Sequence, residues 1–382
     1  MATVHGTCEP AFEGVRAALA ANLDAGKDVG ASAAVTVDGR LVADVWGGEI
    51  DDLAGARRPW AEDTILNVWS TTKTMAALSL LLLHDRGEID VDAPVATYWP
   101  EFKAAGKENV AVRHLMSHTA GLPGWDEPLT PADVYDWDKL TSLLAAQAPW
   151  WEPGTASGYH ALSQGYLEGK VVRRVTGQSI GTFFRTELAE PLGADVHIGL
   201  APEHDARVAR VIPPPPLDAL AAGADATSIP MRVLSNPPLD AAQSWEEAWR
   251  RAEIPAGGGI GNARSVATVQ SVLACGGEVG GRRLLAEATC DLVFREQCNG
   301  TDLVLGVPLA HGIGYGLPGE LLPLPNPRTC FWGGWGGSLV IVDLTARMTI
   351  SFVMNRMGEG TTGDDRALGI ILAAYGALAT GS

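Results

Sequence analysis

Positive charge is scarce in this chain: across 382 residues, 28 Lys and Arg face 45 Asp and Glu, a formal net charge of −17. Such a surface repels phosphate backbones and anionic headgroups, which sets aside nucleic acid and membrane surfaces as partners. Cysteine is sparse as well. Cys8, Cys275, Cys290, Cys298 and Cys330 form no CxxC pair and are odd in number, so they read as reduced thiols rather than a disulfide frame or a zinc site. Long apolar runs are missing: Ala76 to Leu83 and Ala367 to Leu378 are too short to span a bilayer. The N-terminal stretch lacks a basic start followed by an apolar core and a small-residue cleavage site. These absences predict a cytoplasmic protein without a membrane partner. What is present is globular, 46% hydrophobic and long enough for one large domain or two.

The richest stretch is Ser70-Thr71-Thr72-Lys73, between the apolar run Ile65 to Trp69 and the helical-looking run Thr74 to Leu83. A serine and a lysine three apart share a helix face. In the first turn the hydroxyl lies beside unsatisfied backbone N–H groups and the positive end of the helix dipole. A partly buried lysine there is disfavoured as an ammonium, and a neutral lysine can take the serine's proton. The plain alternative is a serine N-cap followed by a solvated lysine.

Phe12 to Leu23 reads as an amphipathic helix, followed by two β-rich runs, Ala31 to Val37 and Leu41 to Trp46, joined by the hairpin signal Asp38-Gly39. The far end mirrors this, with Gly337 to Asp343 and Met348 to Asn355 as strands and Asp365 to Leu378 as a closing helix. Between about Asp90 and Pro255 the pattern is helical, broken by Pro and Gly, with Ser244-Trp-Glu-Glu247 as a capping-box start and Pro213 to Pro216 as an extended segment. The expectation is an α/β (α+β) fold: an antiparallel sheet from both termini with flanking helices. Residues 1–90 and 255–382 would form this sheet domain and 91–254 an inserted helical domain, with the site in the cleft between them.

Two further segments can serve chemistry. Tyr159, in Pro153-Gly-Thr-Ala-Ser-Gly-Tyr159, sits in turn-forming sequence, and beside a lysine ammonium its phenolate would be favoured as a proton relay. Phe331-Trp332-Gly333-Gly334-Trp335-Gly336-Gly337-Ser338 lets the backbone approach a ligand closely beside two large apolar rings. Two other patterns are decoys. Gly177-Gln-Ser179-Ile-Gly181 matches a GxSxG elbow but follows a helical run, so Gly177 reads as a helix end and Ser179 as an N-cap. His114 and His118, four apart, lack the glutamate of HExxH, and a structural role is expected instead of a metal.

In this order, Ser70-Thr-Thr-Lys73, His114 to Pro123, Glu152-Pro-Gly-Thr155 through Tyr159, Gly257 to Ser265, and Trp332 to Ser338 with Val353 to Met357 resemble the serine β-lactamase and penicillin-recognising superfamily, and within it the family VIII carboxylesterases. The resemblance implies Ser70 as the acylated nucleophile, with Lys73 and Tyr159 sharing proton transfer and Tyr159 as the general base. It implies an oxyanion hole from the backbone N–H groups of Ser70 and Trp335, substrate contacts at Trp332, Gly333 and Gly334, and neither cofactor nor metal. β-Lactamases of the superfamily usually carry a cation or histidine where this chain has Trp332, and asparagine where it has Ala161. Those departures imply a small neutral ester as substrate. Weak β-lactam hydrolysis or acyl transfer with the same residues stays open, as does a non-catalytic penicillin-binding-like module. The oligomeric state is left open too.

Overall fold

The computed structural model describes residues 2–214, 225–320, 322–360 and 363–380. The Asp38-Gly39 signal forms its turn as expected: both residues take positive φ, 51° and 73°, which matches the twist of the strands it joins. Those strands are Gly30–Val37 and Arg40–Asp51, in register from Val37 opposite Arg40. The second runs past the expected end at Trp46. Gly47 and Gly48 do not stop it, because the backbone there passes so close to its neighbours that a Cβ on Gly48 would lie 2.1 Å from the Val29 carbonyl oxygen. Its far edge is paired with Val4–Cys8, a short polar strand without an alternating apolar pattern.

The other half of the sheet comes from the C-terminal third. Met348–Met354 pairs antiparallel with Gly30–Val37, and Leu339–Asp343, Thr329–Gly333, Gly316–Leu317, Pro308–His311 and Cys298–Thr301 follow in order. With Arg57–Pro59 beside Arg40–Asp51, the result is a 10-stranded antiparallel sheet drawn from both ends of the chain. Helix Ala263–Ala274 packs on its central strands, as do the terminal helices Glu13–Asp24 and Asp365–Thr380, which also pack on each other. Covered in this way, Met348–Met354 is buried along its whole length.

The intervening chain is mainly helical: Val112–Met116, Trp137–Ala146, Ser163–Thr176 and Ile180–Phe184 are its regular helices before residue 200. Leu66–Asn67, just before Ser70 in the chain, joins Gly259–Gly261 and His197–Ile198 in a small three-stranded sheet. The expected capping box at Ser244 is displaced. Asp240 and Gln243 form that motif over a single 3₁₀ turn, and the following helix, Glu247–Arg251, starts after Glu246. Of the Pro213 to Pro216 segment, Pro215 and Pro216 lie outside the described residues. Helix Lys73–Asp85 is apolar on every side and buried from Lys73 to Leu83, as a helix at the centre of a large protein must be.

Candidate active site

Ser70 opens a 3₁₀ turn, Ser70–Thr72, that runs into the buried Lys73–Asp85 helix. The residue before it, Trp69, holds φ 50° and ψ −135°, a conformation that a bulky side chain adopts only when its surroundings enforce it. The enforcement is visible on both sides. Val68 N–H donates to Gly259 O at 2.8 Å, and the Thr72 hydroxyl donates to Trp69 O while accepting from Gly259 N–H at 2.8 Å. The Trp69 ring is wedged against Trp335 and Trp249, with centroids 4.9 and 5.7 Å away.

Ser70 is not an N-cap: its side chain makes no capping bond and is hydrogen-bonded to the Tyr159 hydroxyl. Lys73 is not solvated. Its Nζ lies 3.2 Å from Ser70 Oγ and 3.1 Å from Tyr159 Oη, and it donates to the carbonyls of Ala161 and Ala256 at 2.8 and 2.7 Å. A neutral amine has two N–H groups, enough for the two carbonyls, and one lone pair left to face the hydroxyls. Burial, opposed only by the charge of Glu168, holds Lys73 well below the usual lysine range.

The same burial corrects the expectation for Tyr159. A phenolate beside an ammonium was expected, but desolvation pushes this phenol above its ordinary value and outweighs its hydrogen bond with Ser70. Burial thus disfavours the charged form of both groups, an ammonium as much as a phenolate. Tyr159 is set in place by a residue that sequence reading missed. Asp302 Oδ1 accepts from Tyr159 N–H at 3.0 Å and from Val304 and Leu305 N–H at 2.9 Å each. Burial pushes the Asp302 carboxyl up, but the His311 ring 3.6 Å away and the backbone N–H groups outweigh this and bring it to about 2.

The glycine-rich segment reaches the serine from the end of strand Thr329–Gly333. A Cβ on Gly334 would lie 2.5 Å from Val68 O and 3.2 Å from Ser70 N, so the Gly334–Trp335 backbone abuts the Ser70 peptide. Ser338 fixes that contact, donating to Val68 O at 2.8 Å and sharing a 3.0 Å hydrogen bond with Thr71. Gly333 ends the strand opposite Leu339. Trp332 is buried, stacked on His118 at 5.1 Å and 6.0 Å from Tyr159, so its indole backs the phenol.

The decoys separate from this cluster. Ser179 caps helix Ile180–Phe184, accepting from Thr182 N–H, and donates to Glu253 at 2.5 Å. His118 takes φ 60° beyond the end of its helix, so it shares no helix face with His114, and its Nδ1 accepts from His160 N–H at 3.1 Å.

A mixed fold built on this sheet, with a serine, a lysine and a tyrosine meeting at the head of a buried helix, defines a penicillin-recognising type of protein. Consistent with this, the Beta-lactamase family model matches residues 15–375, and the chain belongs to that family. It is similar to a family VIII carboxylesterase of known crystal structure, at 44% identity and TM-score 0.90, covering 98% of this chain and all of that one (100%). A penicillin-binding protein homologue from Caulobacter crescentus aligns at 35% identity and TM-score 0.87 over 98% of this chain and 100% of that one. The esterase/beta-lactamase LipL of Mycobacterium tuberculosis is 37% identical over 93% of this chain and 83% of its own length.

Proposed function

We propose that this protein is a serine carboxylesterase acting on small neutral esters through an acyl-enzyme on Ser70. The observation that carries the reading is the buried contact among Ser70 Oγ, Lys73 Nζ and Tyr159 Oη, in surroundings that disfavour the lysine's charged form. Lys73 takes the Ser70 proton, directly or through Tyr159, while Oγ forms a bond to the ester carbonyl carbon. The carbonyl oxygen becomes an oxyanion facing the Ser70 and Trp335 N–H groups, and stabilising it there supplies on the order of 3 kcal/mol per donor. The C–O bond to the alcohol then breaks, and the proton stored on Lys73 leaves with the alkoxide. Water repeats the sequence on the acyl-enzyme, releasing the acid and restoring the serine.

The substrate class rests on what the site lacks. Trp332 stands where a carboxylate-binding cation is usual in the β-lactamases, and Ala161 offers Lys73 only its carbonyl. A neutral ester loses nothing by either change. The likeness to an esterase/beta-lactamase favours weak β-lactam hydrolysis as a second activity of the same serine. Intact mass after exposure to a fluorophosphonate tests the reading: one adduct is expected, mapping to Ser70. An adduct on Ser179, or none, overturns it. Turnover of nitrocefin against p-nitrophenyl butyrate ranks the two activities.

A further inference from the structure

Arg366 stands out among the charged groups that the reaction above does not use. It lies in the first turn of helix Asp365–Thr380, where the helix dipole disfavours a cation, and it is nonetheless buried. Its guanidinium is fully engaged. Nη1 donates to Asp28 Oδ1 at 2.8 Å and to Arg356 O at 2.7 Å, and Nη2 donates to Gly336 O and Asp364 Oδ2 at 2.5 Å each. Nε donates to Asp364 Oδ1 at 3.0 Å.

Gly336 follows Trp335 directly. The turn closes by Gly337 N–H donating to Gly334 O at 3.0 Å, which places Trp335 at one of its two central positions. Its glycines are required by what lies behind it. Gly336 and Gly337 take φ 92° and 118°, and a Cβ on Gly337 would fall 2.5 Å from Arg366 Nη2 and 2.6 Å from Asp364 Oδ2. The backbone is therefore pressed onto the Arg366–Asp364 pair on one side, while Gly334 is pressed onto Ser70 on the other. Two more bonds pin the same residue, Gly336 N–H to Gly360 O and Gly358 N–H to Gly336 O, both 2.8 Å.

We propose that Arg366 is a positioning residue for the oxyanion site, its buried guanidinium fixing the Gly334–Gly337 turn that aims the Trp335 N–H at the reacting carbonyl. This rests on the esterase reading above. Arg366 touches no reacting atom; its effect is on where the Trp335 donor sits once negative charge develops. A donor so aimed acts on the tetrahedral state and not on the ground-state ester, so loosening the turn lowers kcat and leaves KM in place.

The test compares full-length wild type, Arg366→Met and Arg366→Lys by hydrolysis of p-nitrophenyl butyrate, by inhibition with an arylboronic acid that forms a tetrahedral adduct on serine, and by fluorophosphonate labelling. Arg366→Met is expected to lose about 10- to 100-fold in kcat, the cost of misplacing a catalytic donor by a fraction of an ångström to one ångström. Boronate affinity falls in parallel and KM stays within about twofold. Arg366→Lys is intermediate, because one ammonium cannot serve Gly336 and Asp28 in the same planar fork. A folded Arg366→Met with kcat and boronate affinity within about twofold of wild type overturns the proposal, as does a loss confined to KM. Should that variant not fold, Arg366→Lys decides by the same criteria. Failure of the fluorophosphonate to label Ser70 in wild type overturns the esterase reading itself, an outcome distinct from unequal kcat between labelled proteins.

Discussion

The Lys73 amine is tied to Ala256 O at 2.7 Å, closer than it lies to Ser70 Oγ at 3.2 Å. The amine is thus anchored by a backbone carbonyl rather than by the serine. The carbonyl belongs to the segment leading into Gly257-Gly-Gly-Ile-Gly261, whose strand pairs with Leu66–Asn67 just upstream of the serine. Serine and lysine are therefore held by one framework, and neither depends on the other for its position.

Replacing Lys73 by Ala should remove the base without moving the serine, and kcat should fall about 10³-fold, within the range for a lost general base. Tyr159→Phe should cost about 10- to 100-fold less than that if the phenol only relays the proton. In wild type, activity should rise with pH as Lys73 loses its proton, with a midpoint well below the ordinary lysine range because burial depresses it. A pH profile of kcat/KM measures this. A limb first appearing near 10 would contradict it.

Gly334→Ala should be folded but nearly inactive. The added methyl would lie 2.3 Å from Ser338 Oγ and 2.5 Å from Val68 O, so the turn must retreat from Ser70. The expected fall in kcat is about 10²-fold, comparable to losing one oxyanion donor. Unchanged turnover would show that Trp335 does not serve the oxyanion.

Asp302→Ala should leave the N–H groups of Tyr159, Val304 and Leu305 without their shared acceptor. The loss of stability should reach about 2–3 kcal/mol or more, since buried unsatisfied donors carry their full desolvation cost. Denaturant titration reads the stability, and kcat should fall further than in Ser179→Ala.

Ser179→Ala is the control. It should cost about 1 kcal/mol through its lost cap and leave kcat unchanged, whereas Ser70→Ala is expected to abolish turnover.

Glu168 gives a pH prediction of stability. It is buried in helix Ser163–Thr176, and loss of solvation there is the largest influence on its carboxyl, raising it to about 8. Between the unfolded value of 4.5 and about 8 the folded protein holds a proton that the unfolded chain has released, so this group makes stability fall as pH rises through that window. Glu168→Gln removes the titration. Relative to wild type, its melting temperature should improve from pH 5 to pH 9. A constant difference between the two proteins would show that Glu168 does not titrate there.

The hairpin, the far strands and the closing helix were readable because each had its own local signal: Asp38-Gly39, alternating β-branched runs, a periodic apolar face. The serine, lysine and tyrosine were readable as residue types at telling positions. What could not be read is whatever depends on contacts across hundreds of residues. Asp302 looks like any loop aspartate until it meets Tyr159, and Arg366 looks like a solvated helix arginine until Gly336 is laid against it. The protonation of Tyr159 is illegible in the sequence for a related reason. Sequence shows that a lysine exists nearby, but only the fold shows that both groups are removed from water, and desolvation then exceeds their mutual attraction.

The pairing of Gly30–Val37 with Met348–Met354 governs how the protein is made as well as how it stands. A nascent chain emerging from the ribosome presents the first of these strands some 310 residues before its neighbour, estimated from the register, and such long-range pairing is slow to form. The sheet cannot close during synthesis, so the edge of Gly30–Val37 waits uncovered until translation is nearly finished. Deleting the last strands should leave an aggregation-prone fragment, and supplying them as a separate polypeptide is the natural design for a split enzyme whose activity reports reassembly.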